Sequence, residues 1–488
     1  MINFGVMKSI QIIIASITLS FIAKGQDYKD FGTYPAPKYL TQAHDVSISS
    51  DQIILSYSPY LNTLNVAFSF YKYAALKSGA AFTDKKIKPN EGVIRECYYS
   101  GDTITESVVY LTKGFPNSQH TFVLRNRSAR TMEVLGKEKT LATHSFGTNM
   151  LDFMRVRLVE MPDGFAFVEF IKDVCTITSL SKDFEEIKKV VVSDQKIAEV
   201  SCKECYHLIS HDDGSMTFFF PENDGTINIL HLSENDEQKW FSPLDVGKKN
   251  AWGLIDEFAY DCKKKELSWV YLAKSESNDQ NGYGIVKWNE EGEIVVNEVK
   301  MLKDEEIYKI DTDAKKYFVE ERKKPTQDIW GESRTLFPSV RLLSIGNDNY
   351  AIVNLTGAYK SFLLSYVIKL DKSGASEWIR PVVSEVGAIR SIIPYEKEGK
   401  LNLFIADFTA NSKNDTHFVH FSRKADKSYS FYNIVIDPVD GEEISNKKYD
   451  ADTGIESQLI NVQFSEKEGT ILIEFLKEKQ VTYRQIKL

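Results

Sequence analysis

Eight times along the chain, two short runs rich in Val, Ile, Phe, Tyr and Thr are separated by a loop and closed by a tight polar turn. Around residue 165 the order is FAFVEF, then CTITSL, then Ser181-Lys182-Asp183. Around 217 it is TFFF, TINILHL and Ser233-Glu234-Asn235-Asp236, and around 267 it is LSWVYLA, YGIVKW and Asn289-Glu290-Glu291-Gly292. Around 350 it is YAIVNL, LSYVIKL and Asp371-Lys372-Ser373-Gly374, and around 401 it is LNLFIADF, HFVHF and Ser422-Arg423-Lys424. Looser copies start near Gln52 (QIILSYS, NVAFSFY), Ser107 (SVVYLT, TFVLRN) and Thr470 (TILIEF, VTYRQIKL). β-Branched and aromatic side chains suit a pleated, half-buried surface, and Gly, Asn, Asp and Ser tolerate the backbone of a tight turn. The chain is therefore read as repeated β-hairpins. Helical periodicity is scarce, and only short pieces such as Asp183 to Lys189 could form a turn or two of helix.

The copies recur at intervals of roughly 50–60 residues with two wider gaps, a period typical of stacked small sheets. One small twisted sheet cannot cover both of its faces, whereas sheets packed in a ring bury each face against a neighbour. The pattern predicts an all-β fold and a single β-propeller of seven or eight blades spanning residues 26–488. The widest gap contains Ile307 to Lys323, read as an insertion or an extra hairpin. The last copy stops at Leu488 after two strands, so its blade needs another. The segment Lys38 to Ser49 is the expected donor, closing the ring by pairing N- and C-terminal strands and removing an exposed edge. The alternative is two β-sandwich domains. It requires a linker, and no Pro/Gly/Ser-rich stretch is visible. The chain resembles exported β-propeller proteins at the level of architecture, without matching any one family of them.

The first 25 residues differ from the rest. Lys8 gives a short positive region, Ile10 to Ala23 is uncharged and mainly apolar, and Ala23-Lys24-Gly25 places small residues before a cut ahead of Gln26. That is the grammar of a secretory signal peptide, and the apolar run is short for a membrane span of about 20 residues. Met7-Lys8 would make a tidier start than Met1. The expectation is export across a bacterial-type inner membrane to the periplasm or the exterior, without a lipid anchor, because no Cys precedes Cys97. Cleavage removes Lys8 and Lys24 and no acidic residue, taking the formal charge from −9 to −11. An acidic, well-mixed surface argues against nucleic acid and anionic lipid as partners. Stable membrane insertion is not expected either. Hydrophobic content of 42% supports a large core, and five cysteines are too few for a disulfide framework.

Constellations with chemical potential are few. Cys202-Lys203-Glu204-Cys205-Tyr206-His207 lacks the His directly after the second Cys that a c-type haem needs, and no second C-x-x-C completes a zinc site. A thioredoxin-like pair would need a helix start, and the flanks read as strands. An incidental disulfide or two free thiols remain. His207 and His211, four apart along an extended chain, would sit about 13 Å from each other. His417 and His420 would point to opposite faces. Asp450-Ala451-Asp452-Thr453-Gly454 alternates carboxylates as a calcium loop does, but Gly is fifth rather than sixth and Asn461 occupies position twelve. Asp311-Thr312-Asp313 is weaker. Ser210-His211-Asp212-Asp213-Gly214-Ser215 resembles the start of the Asp-box turn of sialidase-type propellers, yet Met216 stands at that family's Thr position and Thr217 at its aromatic one. It is therefore read as a turn. Trp240, Trp252, Trp269, Trp288, Trp330 and Trp378 are read mainly as packing residues, with Trp252 and Trp330 the best placed for exposure. No nucleophile elbow, dinucleotide or Walker glycine loop occurs. No catalytic residue, metal ligand or cofactor is assigned. The expectation is a binding or scaffold protein for a protein or glycan partner. The alternative is a glycan hydrolase or lyase with acidic residues at a channel mouth.

Overall fold

The computed structural model describes residues 28–35, 45–48, 52–57, 72–77, 83–86, 91–111, 119–145, 155–171, 174–192, 206–222, 224–235, 237–247, 258–274, 281–301, 337–356, 363–384, 392–408, 429–449, 458–465, 468–477 and 480–488. Their regular structure is all strand, apart from single 3₁₀ residues. Strand β1 (Tyr28–Pro35) precedes sheet 1, which is β2 (Asp45–Ile48), β3 (Gln52–Tyr57), β4 (Lys72–Lys77) and β5 (Thr83–Lys86). Sheet 2 is β6 (Val93–Ser100), β7 (Thr103–Leu111), β8 (Gln119–Ser128) and β9 (Val134–Ser145). Sheet 3 is β10 (Val156–Met161), β11 (Gly164–Ile171), β12 (Val174–Ser181) and β13 (Glu186–Val192). Sheet 4 is β14 (His207–Ser210), β15 (Met216–Pro221), β16 (Thr226–Leu232) and β17 (Gln238–Asp245). Sheet 5 is β18 (Phe258–Asp261), β19 (Glu266–Lys274), β20 (Asn281–Trp288) and β21 (Ile294–Met301). Sheet 6 is β22 (Phe337–Ile345), β23 (Asp348–Thr356), β24 (Leu363–Leu370) and β25 (Ser376–Ser384). Sheet 7 is β26 (Ile392–Lys397), β27 (Lys400–Phe408), β28 (Tyr429–Ile436) and β29 (Glu443–Tyr449). Sheet 8 is β30 (Gln458–Ser465), β31 (Thr470–Lys477) and β32 (Gln480–Lys487), with β1 antiparallel to β32 as its fourth strand.

The eight sheets are antiparallel meanders, and each apolar copy in the sequence is the second strand of one of them. Gly164–Ile171 and Met216–Pro221 are buried on both faces, which is why they read as continuous apolar runs rather than alternating ones. Apolar clusters run from one sheet to the next. Phe122 and Val109 meet Phe165 and Phe167 between sheets 2 and 3, and Phe170 meets Phe218 and Phe220 between sheets 3 and 4. Phe404 and Phe431 meet Ile471 and Ile473 between sheets 7 and 8. Strand β1 of sheet 8 lies near β4 of sheet 1.

The turn from third to fourth strand recurs in two lengths, its first backbone N–H bonding four residues on in sheets 3 to 6 and five residues on in sheets 2 and 7. Its first residue closes the loop through its backbone N–H, as Ser181 does to Glu185 O at 2.9 Å and Asp371 to Ala375 O at 2.8 Å. Asn, Asp and Ser side chains there cap the turn: Asn289 Oδ1 accepts from Glu291 N and Glu293 N, and Ser181 Oγ from Asp183 N and Glu185 N. A residue with positive φ follows, and it meets the preceding sheet. In sheets 2 and 3 this residue is Met132 (φ 59) or Phe184 (φ 66), and its own side chain plugs the interface. In sheets 5 and 7 it is Gly292 or Gly441 (both φ 78), and the preceding sheet supplies the bulk, Trp240 or Trp378. A Cβ on Gly292 would overlap the Trp240 ring. One large group fills each of these seams, from one side or the other.

Four readings of the sequence are corrected. Residues 183–189 form no helix: a turn at Ser181–Glu185 leads into β13, which pairs with β12 from Leu180↔Glu186 onward. Its polar, exposed character follows from its place at the sheet edge. The strand completing sheet 8 is Tyr28–Pro35 and not Lys38 to Ser49, within which Asp45–Ile48 opens sheet 1. The strand beside β27 is Tyr429–Ile436, a longer run than HFVHF with eight paired residues. The third strand of sheet 1 is Lys72–Lys77, which follows NVAFSFY. Both HFVHF and NVAFSFY lie outside the described residues, as do Ile307 to Lys323.

Candidate functional site

The densest group of titratable side chains between two sheets is built on the turn from His211 to Ser215. Strand β14 ends at Ser210 and β15 begins at Met216. Between them His211 N donates to Ser215 O, and Gly214 N to His211 O, each at 2.9 Å. Asp213 Oδ1 accepts from Ser215 N at 3.0 Å and from Ser215 Oγ at 2.6 Å. Its Oδ2 accepts from Lys265 Nζ of sheet 5 at 2.7 Å. Partial burial opposes ionisation of Asp213, but the bonds from Lys265 and Ser215 outweigh it and hold its pKa down at about 2.

Across sheet 4, Thr217 stands opposite His231 and His231 opposite Trp240, so the three form one row on one face. His211 Nε2 lies 2.8 Å from Thr217 Oγ1, which lies 2.9 Å from His231 Nδ1. Thr217 is fully buried, and both imidazoles are nearly so. The His211 ring centroid is 4.4 Å from that of Tyr260 on β18, and the His231 ring stacks on Trp240 at 5.2 Å. Burial lowers both imidazole pKa values to about 4, and each histidine also feels a nearby cation or its partner. At neutral pH both rings are uncharged. A hydroxyl owns one proton, so Thr217 donates to one ring and accepts from the other. The row is hydrogen-bonded within sheet 4 and packs against Tyr260 of sheet 5, and it contains no activated nucleophile.

A second cluster lies inside sheet 2. Glu106 on β7 faces Arg125 and Arg127 on β8; all three are buried. Arg125 Nε and Arg127 Nε bond to the two oxygens of Glu106, the latter at 2.6 Å. Arg127 Nη1 donates to Met132 O at 2.6 Å, in the turn that plugs sheet 1. Arg125 Nη1 donates to Glu91 O, the Tyr110 hydroxyl and Glu138 Oε1 at 2.9–3.1 Å. Burial, helped by Glu138, pushes the Tyr110 hydroxyl up to about 12. Between sheets 2 and 3, His144 Nε2 meets Glu169 Oε1 at 2.6 Å. These charges are paired within and between sheets.

The structure places the sequence candidates as follows. His211 partners His231 through Thr217, a pairing twenty residues apart that antiparallel strands create and linear spacing hides. His207 lies exposed on β14. The Ser210–Ser215 segment is a turn, as read. Trp240, Trp269 and Trp288 are buried between sheets, and Trp378 is packed under the Gly441 turn. Cys202, Cys205, His417, His420, Asp311, Asp313, Asp450, Asp452, Gly454, Trp252 and Trp330 lie outside the described residues. Cys175 and Cys262 are free thiols. Among the described residues no group of three or more His, Cys, Asp or Glu is arranged to hold a metal ion. Nor, among them, is any helix long and apolar enough to cross a membrane.

No protein-family model matches the chain, and no curated protein matches it. Among solved structures, the core factor of S. cerevisiae is similar at 10% identity and TM-score 0.36 over 89% of this chain and 53% of its own. A structure of two prolyl endopeptidases is similar at 10% identity and TM-score 0.35, over 92% of this chain and 55% of its own. The β-propeller domain of the Trilobed protease from Pyrococcus furiosus is similar at 8% identity and TM-score 0.29, over 80% and 92%. The chain thus spans about half the length of the first two. Likenesses this distant carry no argument about what the chain does.

Proposed function

We propose that this protein is an exported, non-catalytic β-propeller of eight blades that binds or scaffolds a protein or glycan partner. The supporting observation is where its buried polar chemistry goes. Glu106 is occupied by Arg125 and Arg127 within sheet 2, and His211 and His231 by Thr217 within sheet 4, each set bonded inside its own sheet rather than meeting in an open cleft. The ring itself is supported by the β1–β32 ladder and by β1 lying near β4, which bring the last sheet to the first. Clusters that run onward from sheet to sheet fit this ring better than two sandwiches, in which each sheet would face one partner. Export rests on the signal-peptide grammar of residues 1–25, with the propeller spanning 26–488 in the periplasm or outside the cell.

The test is fractionation followed by binding. Expressed from the full-length gene, the protein is expected in the extracytoplasmic fraction with Gln26 as its first residue. The purified mature chain is expected to retain an arrayed glycan or an envelope protein without releasing a product. Shortening of a glycan would move the reading to a hydrolase or lyase. An intact N-terminus on a cytoplasmic product would sink the export claim.

A further inference from the structure

The His211–Thr217–His231 row lies within sheet 4, held by a single hydroxyl and packed against Tyr260 of sheet 5, and its hydrogen-bond count limits how many protons it can carry. With both rings neutral, Thr217 Oγ1 accepts from one imidazole and donates to the other. One added proton leaves this intact, because the charged ring donates to Oγ1 and the hydroxyl still donates to the neutral ring. A second proton does not fit. Both rings then aim N–H groups at one oxygen, the hydroxyl proton loses its acceptor in the row, and two cations stand with ring centroids 6.0 Å apart.

The surroundings give that second charge little relief. The carboxylate facing the pair is Asp213, already bonded to Ser215 and Lys265. Lys265 from sheet 5 and Lys239 from β17 add positive charge near His231. Of these, Lys239 lies 4.0 Å from Glu290 and Lys265 feels Glu234. Tyr260, the remaining titratable neighbour, is a neutral phenol whose pKa burial raises further. Repulsion would fall on the contacts that hold sheet 5: Tyr260 against both imidazoles at 4.4 and 5.1 Å, and Trp240, which carries the Gly292 turn.

We propose that this row is an acid-sensitive latch on the seam between sheets 4 and 5: it holds one added proton, and the second opens the seam. The sign is that of histidines kept neutral by folding, so stability is present above the ordinary histidine pKa of about 6.5 and is lost as pH falls towards 4.

Hydrogen exchange of the mature chain, corrected for intrinsic rates, tests this between pH 7 and 3.5. Below pH of about 4.5, opening of β15 and β18 is expected to rise at least tenfold while β31 and β32 stay protected. Both His211→Gln and His231→Gln are expected to abolish that local step. Opening of all sheets together, or an unchanged midpoint in both variants, would overturn the proposal. Should neither variant fold, NMR titration of the wild-type rings decides. Two separate steps, the lower coinciding with local opening, support the latch, and a single step at global unfolding overturns it.

Discussion

Buried ionisable residues differ in whether the fold gives them a partner that can hold their charge. Glu106 has two guanidiniums, and its charge is matched inside the sheet. Glu474 on β31 is also buried, but the hydrogen bond it is seen to accept comes from a neutral group, the Tyr483 hydroxyl at 2.8 Å. Burial raises its pKa to about 7, and the Tyr483 bond only partly offsets this. Folding thus favours the protonated acid. The stability this carries is complete below the unfolded value near 4.5 and is lost as pH rises through 7, by on the order of 3 kcal/mol. Glu474→Gln keeps an acceptor for Tyr483 and removes the titration. In urea unfolding, the variant is expected to gain stability relative to wild type between pH 5 and pH 8. An equal difference at both pH values would show that Glu474 titrates alike in the folded and unfolded chains.

At the scale of elements, the turns between third and fourth strands set how neighbouring sheets meet. The same backbone accepts Met132 or Phe184 where the neighbour leaves room, and needs Gly where Trp240 or Trp378 has taken it. Gly292→Ala would combine a side chain at φ 78 with overlap of the Trp240 ring. The expected loss is about 2–3 kcal/mol, from strain and overpacking together, measured as a shift in denaturant midpoint at unchanged slope. Replacing Trp240 with Ala in the same chain, which removes the overlapping Cγ and ring, should recover part of it, and a simple sum of the two losses would disprove the steric account. The Gly, Asn and Asp that permit these turns were legible in the sequence, as were the second strands and the third strands outside sheets 1 and 7, because buried strands read as unbroken apolar runs. The fourth strands were not. Glu186–Val192 and Glu443–Tyr449 lie at sheet edges, carry lysines and are mostly exposed, so no periodicity marks them. His231 was missed for a different reason: its partnership with His211 depends on strand register, which one sequence does not display.

For the whole molecule, the decisive element is the one furthest from its partner in sequence. Strand β1 pairs with β32 from Tyr28↔Ile486 to Pro35↔Gln480, with an irregularity between Asp30 and Gly32. It covers an edge that would otherwise present unpaired N–H and C=O groups along β32. Joining the ends this way makes sheet 8 depend on residues from both, so neither end is complete before the rest has folded. Such non-local pairing slows folding and makes loss of the strand a global event rather than local fraying. A chain beginning at residue 36 is therefore expected to lose more than the ~1 kcal/mol of an ordinary point substitution, and to self-associate through the bare β32 edge. A synthetic peptide of residues 28–35, added in excess, is expected to restore both stability and the monomer, since anything that binds only the folded state stabilises it by mass action. A scrambled peptide of the same composition controls for unspecific rescue. If the truncated chain unfolds at the wild-type midpoint and stays monomeric, β1 is an appendage and sheet 8 folds without it.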